Sequence, residues 1–257
     1  MPFCADLFYR NYHRESEGFV FPVILLHGAG SSLLGWPSNL RRLPGQRVYA
    51  LDLPGHGHSA PPACRTMLSL VRNLHRYVIE MGFYHVVLVG YSFGGALALS
   101  YASAYPEQIT GLVIISCGDQ FEMPEELLDK LRTPADTRKA IEIFNRSAFH
   151  PAFPQSERRA ILAPMAKMDS EVLLADFSIG AEFRFNSQVP RLKFPSLFIG
   201  GTSDLISPPE SLIRASRYFE RSSVSLIEKA GHLVVYEKNE ELRDYVSIFL
   251  ARINKWG

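Results

Sequence analysis

Apolar residues in this chain fall into short runs bounded by Gly and Pro, and between those runs lie longer stretches in which they recur at helical spacing. The runs are Val23 to Leu26, Arg47 to Leu51, Val86 to Val89, Ile109 to Ser116, Ser196 to Ile199 and Ser223 to Ile227. The helical stretches are Thr66 to Met81, Phe93 to Tyr105, Pro208 to Phe219 and Glu240 to Ile253. Continuous apolar runs alternating with helices predict a parallel sheet covered on both faces, an α/β architecture. Phe3 to Arg10 adds an antiparallel edge strand.

One segment breaks the alternation. From Gly118 to Pro190 there are helix-like patterns and aromatic residues but no convincing strand. Its apolar members include Phe144, Phe149, Phe153, Met165, Met168, Leu173, Leu174, Phe177, Phe183 and Phe185, more than a solvated linker needs, and its nine Lys and Arg stand against twelve Asp and Glu. A helical cap over the strand ends would use these residues both as its own core and as a pocket wall. The expected organisation is a core domain over 1–117, a helical cap over 118–190, and the rest of the core over 191–257.

Composition narrows the class. With 257 residues, 47% hydrophobic and 21% charged, the chain is an ordinary globular one, and disorder and fibrous structure are excluded. Twenty-seven Lys and Arg against 26 Asp and Glu leave +1, which gives no electrostatic reason to expect nucleic acid or an anionic membrane and points to a small-molecule partner. Cys4, Cys64 and Cys117 are odd in number and widely spaced, so they are read as reduced. Neither an 18-residue apolar stretch nor a secretory leader pattern is visible, and the expectation is a soluble cytoplasmic protein without a membrane span.

The chemistry begins at Val89-Gly-Tyr-Ser-Phe-Gly-Gly-Ala96, a G-x-S-x-G pattern between an apolar strand and a small-residue helix. The bare pattern is weak, but its context is the sharp strand-to-helix turn that lifts a serine hydroxyl above a sheet. A serine hydroxyl is a poor nucleophile at neutral pH and needs a base, which in turn needs a carboxylate to fix its tautomer. Ala230-Gly-His232 and Gly200-Gly-Thr-Ser-Asp204 each follow an apolar run, so the loops carrying Ser92, Asp204 and His232 converge at the carboxyl ends of strands. The Phe93 N–H, opening the helix, is one expected oxyanion donor.

In chain order, Leu26-His-Gly-Ala-Gly30, Asp52-Leu-Pro-Gly-His-Gly-His-Ser59, the turn around Ser92, Gly201-Thr-Ser-Asp204 and Gly231-His232 resemble the α/β-hydrolase superfamily over nearly the whole chain. The resemblance implies a mostly parallel sheet of about eight strands flanked by helices, with a helical cap inserted where residues 118–190 stand. It implies a Ser92, Asp204, His232 triad and a second oxyanion donor at the Ala29 N–H. It also makes His27 a support of the oxyanion loop, and it leaves Asp119 as an alternative acid, because some members draw the acid from the earlier strand. No cofactor or metal is implied.

The reading that follows is a serine hydrolase cleaving an ester or thioester of a small to medium, largely apolar acyl group. Carbon–carbon bond hydrolysis and cofactor-free perhydrolysis use the same residues and stay open, whereas dehalogenase and epoxide hydrolase chemistry would require an acid at position 92. A non-catalytic small-molecule-binding protein is the reading from another class. Trp36 is either a pocket wall or a buried anchor. His56 and His58 are read as satisfying the glycine-rich turn after Asp52, with a metal site as the lesser alternative. Arg138-Lys139 and Arg158-Arg159 are read as solvated helix faces, with contact to an anionic carrier as the lesser alternative, and Cys64 and Cys117 as small apolar fillers.

Overall fold

The structure, a computed structural model, describes residues 3–12, 20–186 and 191–254. Eight strands form one sheet: β1 (Phe3–Cys4), β2 (Leu7–Asn11), β3 (Pro22–Leu26), β4 (Arg47–Leu51), β5 (Val86–Tyr91), β6 (Ile109–Ile115), β7 (Leu192–Gly201) and β8 (Phe219–Ile227). Their order across the sheet is β1-β2-β4-β3-β5-β6-β7-β8. From β4 onward every pair is parallel, and β3 and β5 are buried along their whole length, which is why they read as unbroken apolar runs.

Among the described residues the α-helices are α1 (Ser38–Arg41), α2 (Met67–Glu80), α3 (Phe93–Ala104), α4 (Glu125–Leu131), α5 (Thr137–Ala148), α6 (Gln155–Leu162), α7 (Ser170–Glu182), α8 (Pro209–Ser216), α9 (Val234–Glu237) and α10 (Asn239–Ile253). Thr66 caps α2 by accepting the Ser69 N–H at 3.2 Å, and the helix buries Leu70, Val71, Leu74, Tyr77 and Val78. Among the described residues no helix is long and apolar enough to cross a membrane.

Three details differ from the sequence pattern. Phe3 to Arg10 forms two strands, because Ala5 and Asp6 take positive φ and turn the chain before β2 pairs antiparallel with β4. At the far edge, β7 and β8 begin at Leu192 and Phe219, earlier than expected. There Lys193 and most of β8 are exposed, so backbone pairing rather than apolar burial defines the strand ends. The helix expected over Pro208 to Phe219 accordingly stops at Ser216.

Between β6 and β7 the chain forms α4 to α7 and, among the described residues, no strand. The expected boundary at Pro190 lies outside the described residues. This helical segment sits on the loops beyond the carboxyl ends of β3 and β8. A Cβ on Gly30 would meet Leu173 at 2.6 Å, and one on Gly231 would meet the His150 backbone nitrogen at 2.6 Å. Strand order reverses at β3, with β4 on one side and β5 on the other, which opens a crevice at those same strand ends.

Helix α3 closely approaches β3, where a Cβ on Gly94 would lie 2.1 Å from the Leu26 carbonyl oxygen. Gly94→Ala is therefore expected to destabilise the protein by about 3 kcal/mol. Gly82→Ala, at φ +67 with nothing within 4 Å, should cost only about 1 kcal/mol. Urea denaturation of the two variants measures the difference.

Candidate active site

Ser92 sits between β5 and α3 with φ 52 and ψ −118, a left-handed conformation that non-glycine residues rarely adopt. Its N–H donates to the Ile115 carbonyl at 2.8 Å, which ties the turn to the end of β6. Glycines on both sides allow this: a Cβ on Gly90 would fall 2.3 Å from the Gly94 oxygen, so no side chain fits where strand and helix meet.

His232 and Asp204 meet Ser92 from the other side. The Ser92 hydroxyl lies 2.8 Å from His232 Nε2, and His232 Nδ1 lies 2.9 and 3.1 Å from the two Asp204 oxygens. His232 and Asp204 are buried. Asp204 Oδ1 also accepts the N–H groups of Ile206 and Ser207, at 2.9 and 2.8 Å, which fixes the carboxylate. With a carboxylate at Nδ1, that nitrogen carries the proton in the neutral ring and Nε2 is left as the acceptor for the hydroxyl.

Asp119 is placed elsewhere. Its two oxygens accept Nε and Nη2 of Arg214 at 2.7 and 2.9 Å, and Oδ1 accepts the Ser211 hydroxyl at 2.6 Å. Partial burial pulls its pKa up, but these hydrogen bonds outweigh that and hold it below the usual carboxylate range. It makes no contact with His232 among the described hydrogen bonds.

The loop after β3 passes beside the serine, and a Cβ on Gly28 would be 3.5 Å from Ser92 Cβ. Neither the Ala29 nor the Phe93 N–H has a protein acceptor among the described residues. Phe93 opens α3, where helix N–H groups lack intrahelical partners.

His27 holds that loop from within. Its Nδ1–H donates to the Gly28 carbonyl at 2.9 Å, and its Nε2 accepts the Leu53 N–H at 3.1 Å. Burial, reinforced by the nearby His56, lowers its pKa to about 3. Asp52 staples the same region, accepting Leu33 N–H at 2.7 Å and His58 N–H at 2.9 Å. His58 is largely exposed and stacks on Phe8.

A cavity of about 640 Å³ opens over Ser92 and His232. From the segment between β6 and β7 Phe121, Phe144, Met165, Met168 and Phe177 reach it, and from the core Ile206. Phe149, Phe183 and Phe185 are buried away from it. Trp36, for which the sequence left two readings open, is buried behind the wall, edge-to-face with Tyr91 at 6.1 Å, and does not line the cavity. Its indole N–H has no partner among the described residues.

A sequence profile for the alpha/beta hydrolase fold matches residues 22–239. The chain belongs to this family. A 2-hydroxy-6-oxo-2,4-heptadienoate hydrolase of Pseudomonas putida is 24% identical over 255 residues, 90% of this chain and 89% of that protein. The abhydrolase domain-containing protein abhd-5.2 of Caenorhabditis elegans is 34% identical over 117 residues, but the match spans only 43% of this chain and 26% of that protein. The structure of an enol-lactonase from Burkholderia xenovorans superposes with a TM-score of 0.84 at 20% identity, covering 95% of this chain and 96% of that one.

Two groups that the sequence reading did not single out also meet here. Asp176 of α7 accepts Gly30 N–H at 2.9 Å and lies 2.8 Å from His56 Nε2. Glu237 of α9 accepts the N–H groups of Gly231 and His150, both at 2.9 Å, and burial raises its pKa. The one sequence sign was an acid inside the apolar run Val172 to Gly180. Of the basic pairs, Arg158 donates to the Phe153, His150 and Pro151 carbonyls and covers the Phe149 ring, so it holds a loop of its own segment.

The buried neutral His27 makes a pH prediction. Its folded pKa lies below the ordinary 6.5, so the unfolded chain binds more protons between those values. Its contribution to stability is whole above pH 6.5 and is lost as pH falls toward about 3, by up to about 1.4 kcal/mol per unit. Nitrogen-15 spectra should show a neutral, Nδ1-protonated His27 ring until about pH 3, and denaturation midpoints should fall over the same window.

Proposed function

We propose that the protein is a serine hydrolase that cleaves an ester or thioester of a small to medium, largely apolar acyl group. The observation that carries this reading is the hydrogen-bonded series Ser92, His232, Asp204 opening into a cavity walled by phenylalanine, methionine and isoleucine.

Ser92 Oγ attacks the substrate carbonyl carbon while His232 Nε2 takes the hydroxyl proton, and Asp204 balances the imidazolium that results. The carbonyl oxygen, now negative, sits on the N–H groups of Ala29 and Phe93, each worth about 2.7 to 4 kcal/mol of barrier. Collapse breaks the carbonyl carbon to leaving-group bond, and His232 returns its proton to the leaving alcohol or thiol. Water then attacks the acyl-Ser92 carbonyl with His232 again as base, which releases the acid and restores the hydroxyl. In this reading the helical segment is a cap, and its side chains select the substrate.

The P. putida relative supports a second reading, carbon–carbon bond hydrolysis by the same residues. The dienoate in that protein's name is an anion. Among the described residues lining this cavity Lys167 is the one lysine or arginine, it is exposed, and Asp169 and Asp176 stand with it. A neutral ester suits these walls better than a carboxylate does, because a buried anion without a cationic partner is costly.

A stopped-flow series of p-nitrophenyl esters from acetate to decanoate tests the proposal. The expected result is a burst equal to the enzyme concentration, strongest at one chain length, and absent in Ser92→Ala with turnover down by about 10³-fold or more. Unchanged turnover in that variant defeats the assignment. Asp204→Asn should lower kcat by about 10³ to 10⁴-fold, whereas Asp119→Asn should stay within about threefold of wild type. The reverse ranking would move the acid to β6.

A further inference from the structure

The loop that would hold the oxyanion is not finished by the core. Gly30, directly after Ala29, has φ +63, and its N–H donates to a carboxylate from the helical segment, Asp176 Oδ2, at 2.9 Å. The same oxygen lies 2.8 Å from His56 Nε2, and His56 Nδ1 lies 3.1 Å from the Pro54 carbonyl. With Asp176 as a carboxylate, both ring nitrogens of His56 face oxygens that only accept, so both carry hydrogen and the ring is an imidazolium. His56 and Asp176 are both buried, and they form an ion pair across 120 positions of sequence.

We infer that Asp176 and His56 are positioning residues that make the oxyanion loop depend on the seating of α7. This rests on the ester-hydrolysis reading above. The loop from Gly28 to Gly30 is gripped on the core side by the His27 contacts to Gly28 and Leu53, and on the other side by Asp176. The His27 and His56 rings stand 4.9 Å apart, so the two grips adjoin. Met165 and Leu173 close over Gly30, and a Cβ there would lie 2.9 and 2.6 Å from them. If α7 lifts away, the Gly30 N–H loses its acceptor and His56 loses its counter-ion in one movement. The Ala29 N–H, one residue away, is then held from the core side alone. A donor misaimed by about 1 Å costs rate at the chemical step while leaving apolar substrate binding in place.

His56 itself gains charge stabilisation from this arrangement. Burial alone would disfavour the imidazolium, but the Asp176 carboxylate outweighs burial and raises its pKa. Asp52 is the second acid facing the ring, and the His27 ring beside it is neutral.

The test compares wild type with Asp176→Asn, Asp176→Ala, His56→Gln and the Asp176→Ala, His56→Gln double variant, each assayed well below its unfolding midpoint. Asp176→Asn keeps size and one acceptor oxygen but removes the charge. Expected are a fall in kcat, and in the acylation burst rate, of about tenfold or more with KM within about twofold. The losses should be non-additive, the double variant being no slower than Asp176→Ala. A second readout needs no turnover: nitrogen-15 spectra at pH 8 should show both His56 nitrogens protonated in wild type, and the signature lost in Asp176→Asn. A neutral His56 in wild type overturns the inference, as does a kcat for Asp176→Asn within twofold of wild type, a loss confined to KM, or additive losses. If wild type shows the imidazolium but no burst with any ester, the ester reading fails, and the positioning role falls with it.

Discussion

The geometry of the candidate site depends on how closely α3 approaches the carboxyl ends of β3 and β5. At Gly90, Gly94 and Gly95 a single added methyl group would strike backbone or the Cys117 side chain, at 2.3, 2.1 and 2.7 Å. That contact lets the chain reverse within one residue, and Ser92 bears the cost as a left-handed backbone. It also places the open N–H groups of the helix start beside the loop that follows β3. Ser92 and the Ala29 and Phe93 N–H groups converge because the helix lies almost on the sheet.

Loops at strand ends have lost the ladder that satisfied their backbone, and in this protein buried and half-buried carboxylates take its place. Asp52 joins the β3 and β4 loops, Asp204 gathers its own turn while facing His232, and Glu237 links the His232 loop to His150. Asp176 makes the fourth such link, from α7 to Gly30. Each carboxylate accepts backbone N–H groups, and each would leave those donors without their protein partner if removed. Two of the four cross between the core and the helical segment, so the seating of that segment is read at both the Gly30 and the His232 side of the cavity.

This division explains what could be read in the sequence. Val86 to Val89 and Ile109 to Ser116 announced their strands because both faces are buried, and Ser92 stands just past the first, while Asp204 and His232 follow the runs Ser196 to Ile199 and Ser223 to Ile227. The ends of β7 and β8 were not legible, because edge strands pair through backbone without an apolar signature. Asp176 could not be matched to His56 from a single chain, since nothing local ties residues 120 apart. Trp36 stood near the loop in sequence but turned inward, a choice made by packing against Tyr91 that no spacing encodes.

The pairing of Asp176 also bears on what the cavity accepts. A lone carboxylate in an apolar wall would repel an anionic substrate and attract a cationic one, at energies that low polarity magnifies. Paired with an imidazolium and holding the Gly30 N–H, the same group presents little net charge to the cavity. The apolar side chains are then left to discriminate by shape, where each methylene counts for about 1 to 3 kcal/mol. Phe144, Met165, Met168 and Phe177 all come from the helical segment, so under the proposed ester hydrolysis the segment that holds the Gly30 N–H also sizes the acyl group. Under that proposal, substrate that packs well against those side chains would hold α7 down and with it Asp176, coupling recognition of the acyl chain to alignment of the Ala29 and Phe93 amides.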